Sequence, residues 1–219
     1  VQMEKRAKAG DKESQLNLKL VDLALAQLNA GKPARTAEIS KEDRKAWDML
    51  QLLTALPALY VANVDEGSAD KGNALSDLVA ARAAKDGANS VVISAKIDSE
   101  LAVLDEAEQL EFLETLGLAE PGLNRLIREA YSLLGLQSYF TVGPKEARAW
   151  TIHVGDTAPQ AAGVIHTDFE KGFIRAETIA YDDYVALRGE AKAREAGKLR
   201  AEGKSYVVKD GDVMNFLFS

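Results

Sequence analysis

Two apolar, β-rich runs constrain this chain more than any other feature: PALYVANV at 57–64 and SVVIS at 90–94. Between them, residues 73–85 place Leu75, Leu78, Val79 and Arg82 at helical spacing. A strand, a helix and a second strand within about 30 residues make a βαβ unit, whose strands run parallel because the helix carries the chain back along the sheet. The unit also says where chemistry can sit, since ligands of open parallel sheets bind beyond the carboxyl ends of the strands.

On either side the pattern changes. Residues 1–30 read as two helices broken at Gly10-Asp11, the second with Leu16, Leu20 and Leu23 on one face and stopped by Gly31 and Pro33, an antiparallel helical hairpin. Ser40 with Asp43 predicts the start of a third helix running to about Leu53. After the second strand, helices are predicted over 105–116, ended by Gly117, and over 122–134, with Leu123, Leu126, Ile127, Ala130 and Leu134 on one face. The tail offers five strands, SYFTVG, ARAWTIHVG, GFIRAETIAY, KSYVVK and DVMNFLFS, with short helices near 158–163, 182–187 and 190–199. That is a small, mostly β domain with its boundary near Leu136–Ser138.

Composition closes off several chemistries. The 219 residues contain no Cys, which excludes disulfides, thiolate metal sites and thiol nucleophiles, and only two His, which argues against a histidine-rich zinc site. No apolar stretch is long enough to span a bilayer and no signal peptide opens the chain, so a cytoplasmic protein without membrane association is expected. A net charge of −7 argues against a broadly basic nucleic-acid binder, and DNA is not expected as a partner. The chain starts on Val1, not Met, inside a helix-like stretch, and reads as a fragment of a longer protein.

The candidate site lies at the ends of the two strands. YVA runs into Asn63-Val64-Asp65-Glu66, and SVVI runs into Ser94-Ala95-Lys96, so two polar loops should meet at one sheet edge. An Asn amide donates and accepts at once and can brace such loops, while a carboxylate is the acceptor that a nucleobase amine needs. The plainer reading is a polar turn after a buried strand. In GTPase-like P-loop proteins these two positions carry the Asn-Lys-x-Asp base-recognition motif and the Ser-Ala-Lys motif.

Over essentially its whole length the chain resembles the YchF family, the Obg-like ATPases of the P-loop GTPase superclass. The match is carried by LLTALPALYVANVDE, EPGLNRLIREAYSLLGL, GPKEARAWTIHVGDTAPQAAGVIHTDFEKGFIRAE and EGKSYVVKDGDVM. The resemblance implies an α/β chain in three parts. Residues 1–49 would be a helical, coiled-coil-like A-domain segment, 50–137 the C-terminal half of the P-loop nucleotide-binding domain, and 138–219 a TGS domain of the α+β, β-grasp type.

It also implies ATP as ligand, with Asn63, Val64, Glu66, Ser94, Ala95 and Lys96 at the base. A guanine reader uses an Asp to accept from N1–H and the 2-amino group; here Glu66 stands at that position and Val64 replaces the Lys, so strong guanine selection should be lost. No G-x-x-x-x-G-K-[ST] occurs, so no phosphate-cradling loop is present. Catalytic residues and the ligands of Mg are therefore expected outside these residues, and the chain alone is expected not to hydrolyse ATP. No metal site is expected within it.

In the tail, His166-Thr167-Asp168-Phe169 lacks the Ser nucleophile or metal set that would make it catalytic. The family resemblance links this loop and strand to ribosome or RNA contact, with His166 and Arg175 as candidates; Lys198 and Arg200, in the basic run from Lys192 to Lys204, could contact RNA phosphate, though a solvated, charge-balanced helix face is the plainer reading of that run. Trp150 and Trp47 read as packing residues. The expected function is nucleotide-dependent engagement of the ribosome or RNA. The alternatives are a non-catalytic RNA-binding module and a GTP-specific GTPase remnant.

Overall fold

The computed structural model describes residues 2–219 and divides into two compact units, one up to Leu133 and the other Leu134–Ser219. Val1, on which the fragment reading rests, lies outside the described residues.

The first unit opens with helices α1 (Gln2–Lys8) and α2 (Lys12–Asn29), joined by the turn foreseen at Gly10-Asp11. Asp11 caps α2, accepting from the Ser14 N–H at 3.3 Å. The short α3 (Arg44–Met49) then brings Trp47 onto Leu20, Ala24 and Ala34. Both Leu20 and Ala34 are fully buried, so this cluster is a small core of its own. The predicted third helix over 40–53 is thus cut at both ends. Ser40 does accept from the Asp43 N–H at 3.1 Å, but residues 41–43 stay a turn, and Gln51 with φ of 50° and an extended Leu52 stop the helix early.

The βαβ unit is present as β1 (Leu59–Asn63), α4 (Ala74–Lys85) and β2 (Asn89–Ile93), the two strands parallel with Asn63 opposite Ile93. Asn73 starts α4 through a capping box with Ser76, an arrangement worth about 1 kcal/mol. The Gly72 before it has φ of +76°, and a Cβ there would stand 2.3 Å from the Ser76 hydroxyl oxygen. Asp86, just past the C-terminus of α4, accepts from the Tyr60 hydroxyl (2.6 Å) and the Arg82 guanidinium (2.9 Å). Arg82 first, and then Tyr60, hold its carboxyl below the usual carboxylate range. Arg35 donates to the Asp86 carbonyl at 2.9 Å, so the helical segment is fastened to the βαβ unit through this corner.

Three helices complete the unit: α5 (Ala95–Leu101), α6 (Glu106–Thr115) and α7 (Gly122–Leu134). Sequence reading missed α5. Leu75, Leu78, Leu123 and Ile127 remain exposed on α4 and α7, beside a sheet of only two strands.

The second unit is a five-stranded mixed sheet in the order β4-β3-β7-β5-β6. Its strands are β3 (Leu136–Val142), β4 (Ala147–His153), β5 (Phe173–Ala180), β6 (Arg200–Glu202) and β7 (Asp212–Phe218), with β3 and β7 parallel and the other pairs antiparallel. Helix α8 (Ala158–Ile165) lays its Ala face, Ala158, Ala161 and Ala162, on Tyr139, Ile152, Ala176 and Phe216. Small residues there let helix and sheet approach closely. Buried Tyr139 donates its hydroxyl to the Ala161 carbonyl at 2.9 Å, and burial holds its phenol well above the ordinary value. Shorter helices follow: α9 (Thr167–Lys171), α10 (Tyr181–Ala186) and α11 (Glu190–Glu195).

One predicted strand is absent. KSYVVK forms no ladder; its fourth strand position in the sheet is taken by Arg200–Glu202. The alternation that suggested a strand is real, for Val208 is buried and Val207 exposed, but Val207 pairs only with Thr157, in an isolated bridge. No described helix is long and apolar enough to cross a membrane.

Candidate functional site

Parallel pairing in register sends the loops after β1 and β2 out at the same end of the sheet. The Val64 N–H continues the ladder onto the Ile93 carbonyl at 2.9 Å. Asn63 then reaches sideways, and its side-chain oxygen accepts from the Ala95 N–H at 2.9 Å. One amide therefore joins the end of β1 to the first residue of α5.

The other named residues gather around that brace. Glu66, in the turn after β1, forms an ion pair with Lys96, which is also 4.0 Å from Glu100 one helical turn on. The Glu66 hydrogen bond and charge raise the Lys96 ammonium above its ordinary pKa. Both side chains are exposed, 67% for Lys96 and 41% for Glu66, so the pair adds little to stability. Ser94 is 2% exposed and its buried hydroxyl has no hydrogen-bond partner among the described residues. All six base-edge candidates, Asn63, Val64, Glu66, Ser94, Ala95 and Lys96, thus lie at one strand-end cluster.

Two supporting residues escaped the sequence reading. Asp98 accepts from the Leu123 N–H at 3.2 Å and lies against Gly122, where a Cβ would stand 2.7 Å from the Asp98 carboxylate, so α7 starts directly on α5. Arg125 on α7 donates to the Ala69 carbonyl at 3.2 Å and holds the far end of the 63–69 loop. The helical face counted in the sequence marked the apolar side of α7, and nothing local singled out an Arg on its margin.

The tail candidates do not form one cluster. His166 caps α9: its Nδ1 accepts from the Asp168 N–H at 3.2 Å, which places the ring proton of the neutral form on Nε2. Its ring lies 5.9 Å from that of Phe169, which stacks on Phe218 at 3.8 Å. Arg175 is exposed on β5. Lys198 pairs with Asp183 at 3.2 Å. Arg200 is built into the fold, donating to Glu202 (3.0 Å), the Tyr206 hydroxyl (3.1 Å) and buried Asp212 (3.4 Å). Burial, and after it the bond to Asp212, push the Tyr206 phenol up to about 12. Trp150 is half-buried on the sheet core, donates to Thr141 at 2.9 Å and carries Arg148 over its ring at 5.1 Å. Among the described residues no group of three His, Asp or Glu could hold a metal ion.

Comparison with known proteins covers both units. Residues 136–219 match the family model YchF-GTPase_C, described as a protein of unknown function (DUF933). The protein named "Ribosome-binding ATPase YchF" in Escherichia coli O157:H7 is 52% identical over 217 residues, which are 99% of this chain and 60% of that protein. The protein of that name in Bacillus subtilis (strain 168) is 48% identical, over 98% of this chain and 59% of its own length. The chain thus spans about 60% of the curated relatives it matches. Among solved structures, the Schizosaccharomyces pombe YchF GTPase superposes with a TM-score of 0.77 at 31% identity, over 95% of this chain and 55% of that one. A GTP-binding protein from Pyrococcus horikoshii OT3 shares the fold, with a TM-score of 0.53 at 17% identity, over 94% of this chain and 70% of that one. About half of its residues are shared from end to end with YchF relatives, residues 136–219 match that family's C-terminal model, and the α/β fold is that of the yeast YchF GTPase, so the chain is similar to the YchF family over its whole length.

Proposed function

We propose that the strand-end cluster is the base-reading edge of an ATP site, in a cytoplasmic protein whose nucleotide state governs its engagement of the ribosome. The observation that carries this reading is the Asn63–Ala95 hydrogen bond, which braces the end of β1 against the start of α5 beside the exposed Glu66–Lys96 pair. Glu66 supplies an acceptor for an exocyclic amine. The Val64 N–H is spent on Ile93, which leaves its carbonyl as the backbone group of that residue available to a base.

The fit extends to the base only. Nothing among the described residues resembles a phosphate cradle or a set of Mg ligands. When ATP and Mg are bound, they supply the reacting phosphoryl group and its charge neutralisation, and both belong to parts of the protein beyond the residues described. The role of this chain is to hold and select the base.

In this reading residues 1–49 are the helical A-domain segment, 50–137 the C-terminal half of the nucleotide domain, and 138–219 a β-grasp TGS domain that meets ribosomal RNA. Of the four tail candidates Arg175 is the best placed, because Lys198 and Arg200 already hold acidic partners and His166 lies 3.6 Å from the Asp168 carboxylate. The names of the relatives, ribosome-binding ATPases, support this assignment. Co-sedimentation of the intact protein with ribosomes tests it: binding should differ between ATP and no nucleotide and fall as salt rises, because phosphate contacts release counterions. Binding that is absent, or indifferent to both nucleotide and salt, would contradict it.

A further inference from the structure

Glu66 does not stand alone at the strand ends: Lys96, in the first turn of α5, is in contact with it. A carboxylate offers only acceptors, and an ammonium only donors. Together they form an edge with an acceptor beside a donor, and such an edge is selective. On the Watson–Crick side of adenine the 6-amino donor adjoins the N1 acceptor. Guanine in the same position presents the reverse order, an O6 acceptor where adenine has its amino group and an N1–H donor where adenine has N1, so the carboxylate would meet an acceptor and the ammonium a donor.

We infer that Lys96 is a specificity-determining residue, donating a hydrogen bond to N1 of adenine while Glu66 accepts one from the 6-amino group, so that the ion pair as a unit selects adenine and rejects guanine. This rests on the proposed placement of the base at this edge. The rejection has two sources. Guanine would set its N1–H against Lys96 and its O6 against Glu66, and a donor facing a donor, or an acceptor facing an acceptor, loses its hydrogen bond to water without gaining another. The pair's exposure in the free protein fits such a role, since both groups remain open to a ligand and neither is needed to hold the fold.

The test measures equilibrium binding of ATP, of 1-deaza-ATP, in which ring N1 is replaced by C–H, and of GTP to the intact protein as wild type, Lys96→Met and Asn63→Ala. Wild type should bind 1-deaza-ATP about tenfold more weakly than ATP, the loss of one hydrogen bond from a charged donor. Lys96→Met keeps most of the aliphatic stem but no donor. It should bind ATP and 1-deaza-ATP alike, with its preference for ATP over GTP reduced about tenfold. A Lys96→Met protein that keeps both the 1-deaza penalty and the ATP preference overturns the inference, as does a wild type that shows no 1-deaza penalty. Asn63→Ala separates the two levels: if it binds ATP as wild type does, the base is not at this edge and the underlying site reading fails. If it weakens ATP while Lys96→Met changes nothing, only the role of Lys96 fails.

Discussion

Replacing Asn63 by Ala lowers the affinity of the intact protein for ATP by about 5- to 150-fold, the range that follows from about 1–3 kcal/mol for a donor left without its acceptor. The substitution removes the only side-chain bond from β1 to the start of α5 described here, and Ala95 loses the partner of its N–H. The loop 64–69 and the start of α5 then have to be ordered by the ligand itself, and that ordering is subtracted from the binding free energy. Asn63→Asp retains an acceptor for Ala95 but loses the amide donor, so it should preserve the loop geometry and still bind ATP more weakly than wild type. Isothermal titration calorimetry of the three proteins reads the effect. Equal ATP affinity in wild type and Asn63→Ala would remove the brace from the account.

The largest expected effect on stability is at the opposite end of the first unit. Trp47→Ala removes the largest side chain of the cluster formed with Leu20, Ala24 and Ala34, where Trp47 is 2% exposed. Truncations of this kind cost about 3–5 kcal/mol, because the transfer free energy is lost and the cavity left behind collapses only in part. The partners of Trp47 include two small residues, Ala24 and Ala34, fixed on a helix and on a tight turn, which have little with which to refill the space. Trp47→Phe should recover most of the loss. Urea denaturation followed by far-ultraviolet circular dichroism gives the comparison, and an Ala variant within about 1 kcal/mol of wild type would show that the site relaxes far more than typical cores do. The consequence reaches the βαβ unit, since Arg35, immediately after Ala34, donates to the Asp86 carbonyl.

Much of this architecture was legible in the sequence where periodicity and punctuation agree. The βαβ unit announced itself through two apolar runs and Asn73 as a helix start, and parallel pairing alone sends the loops that follow Asn63 and Ile93 out at the same end of the sheet. Helix α7 appeared with its observed limits, 122–134, because Gly117 and Pro121 punctuate its approach and its face is strongly apolar.

What failed did so for identifiable reasons. Helix α5 has seven residues and opens on a motif read for its chemistry; its buried pair Ile97 and Leu101, four apart, was the signal available. KSYVVK alternates as a strand does, but alternation reports which side chains are buried, not whether a neighbouring strand exists to complete the ladder. Arg200 looked like one cation in a basic run, whereas it is tied to Tyr206 and to Asp212 at the start of β7, a partner brought near because β6 and β7 flank β5 in the sheet. The Glu66–Lys96 pair was likewise hidden: both residues were named as site candidates, but their contact, from the turn after β1 to α5, belongs to tertiary structure.

That contact and the Asn63 brace together make the central claim, that this edge reads adenine. Competition between ATP and GTP for the intact protein, at equal Mg and salt, tests it most directly. Loss of one well-formed hydrogen bond and the facing of two donors should leave GTP at least about tenfold weaker than ATP. Equal affinities, or a preference for GTP of tenfold or more, would contradict the reading of Glu66 and Lys96 as an adenine-selective edge.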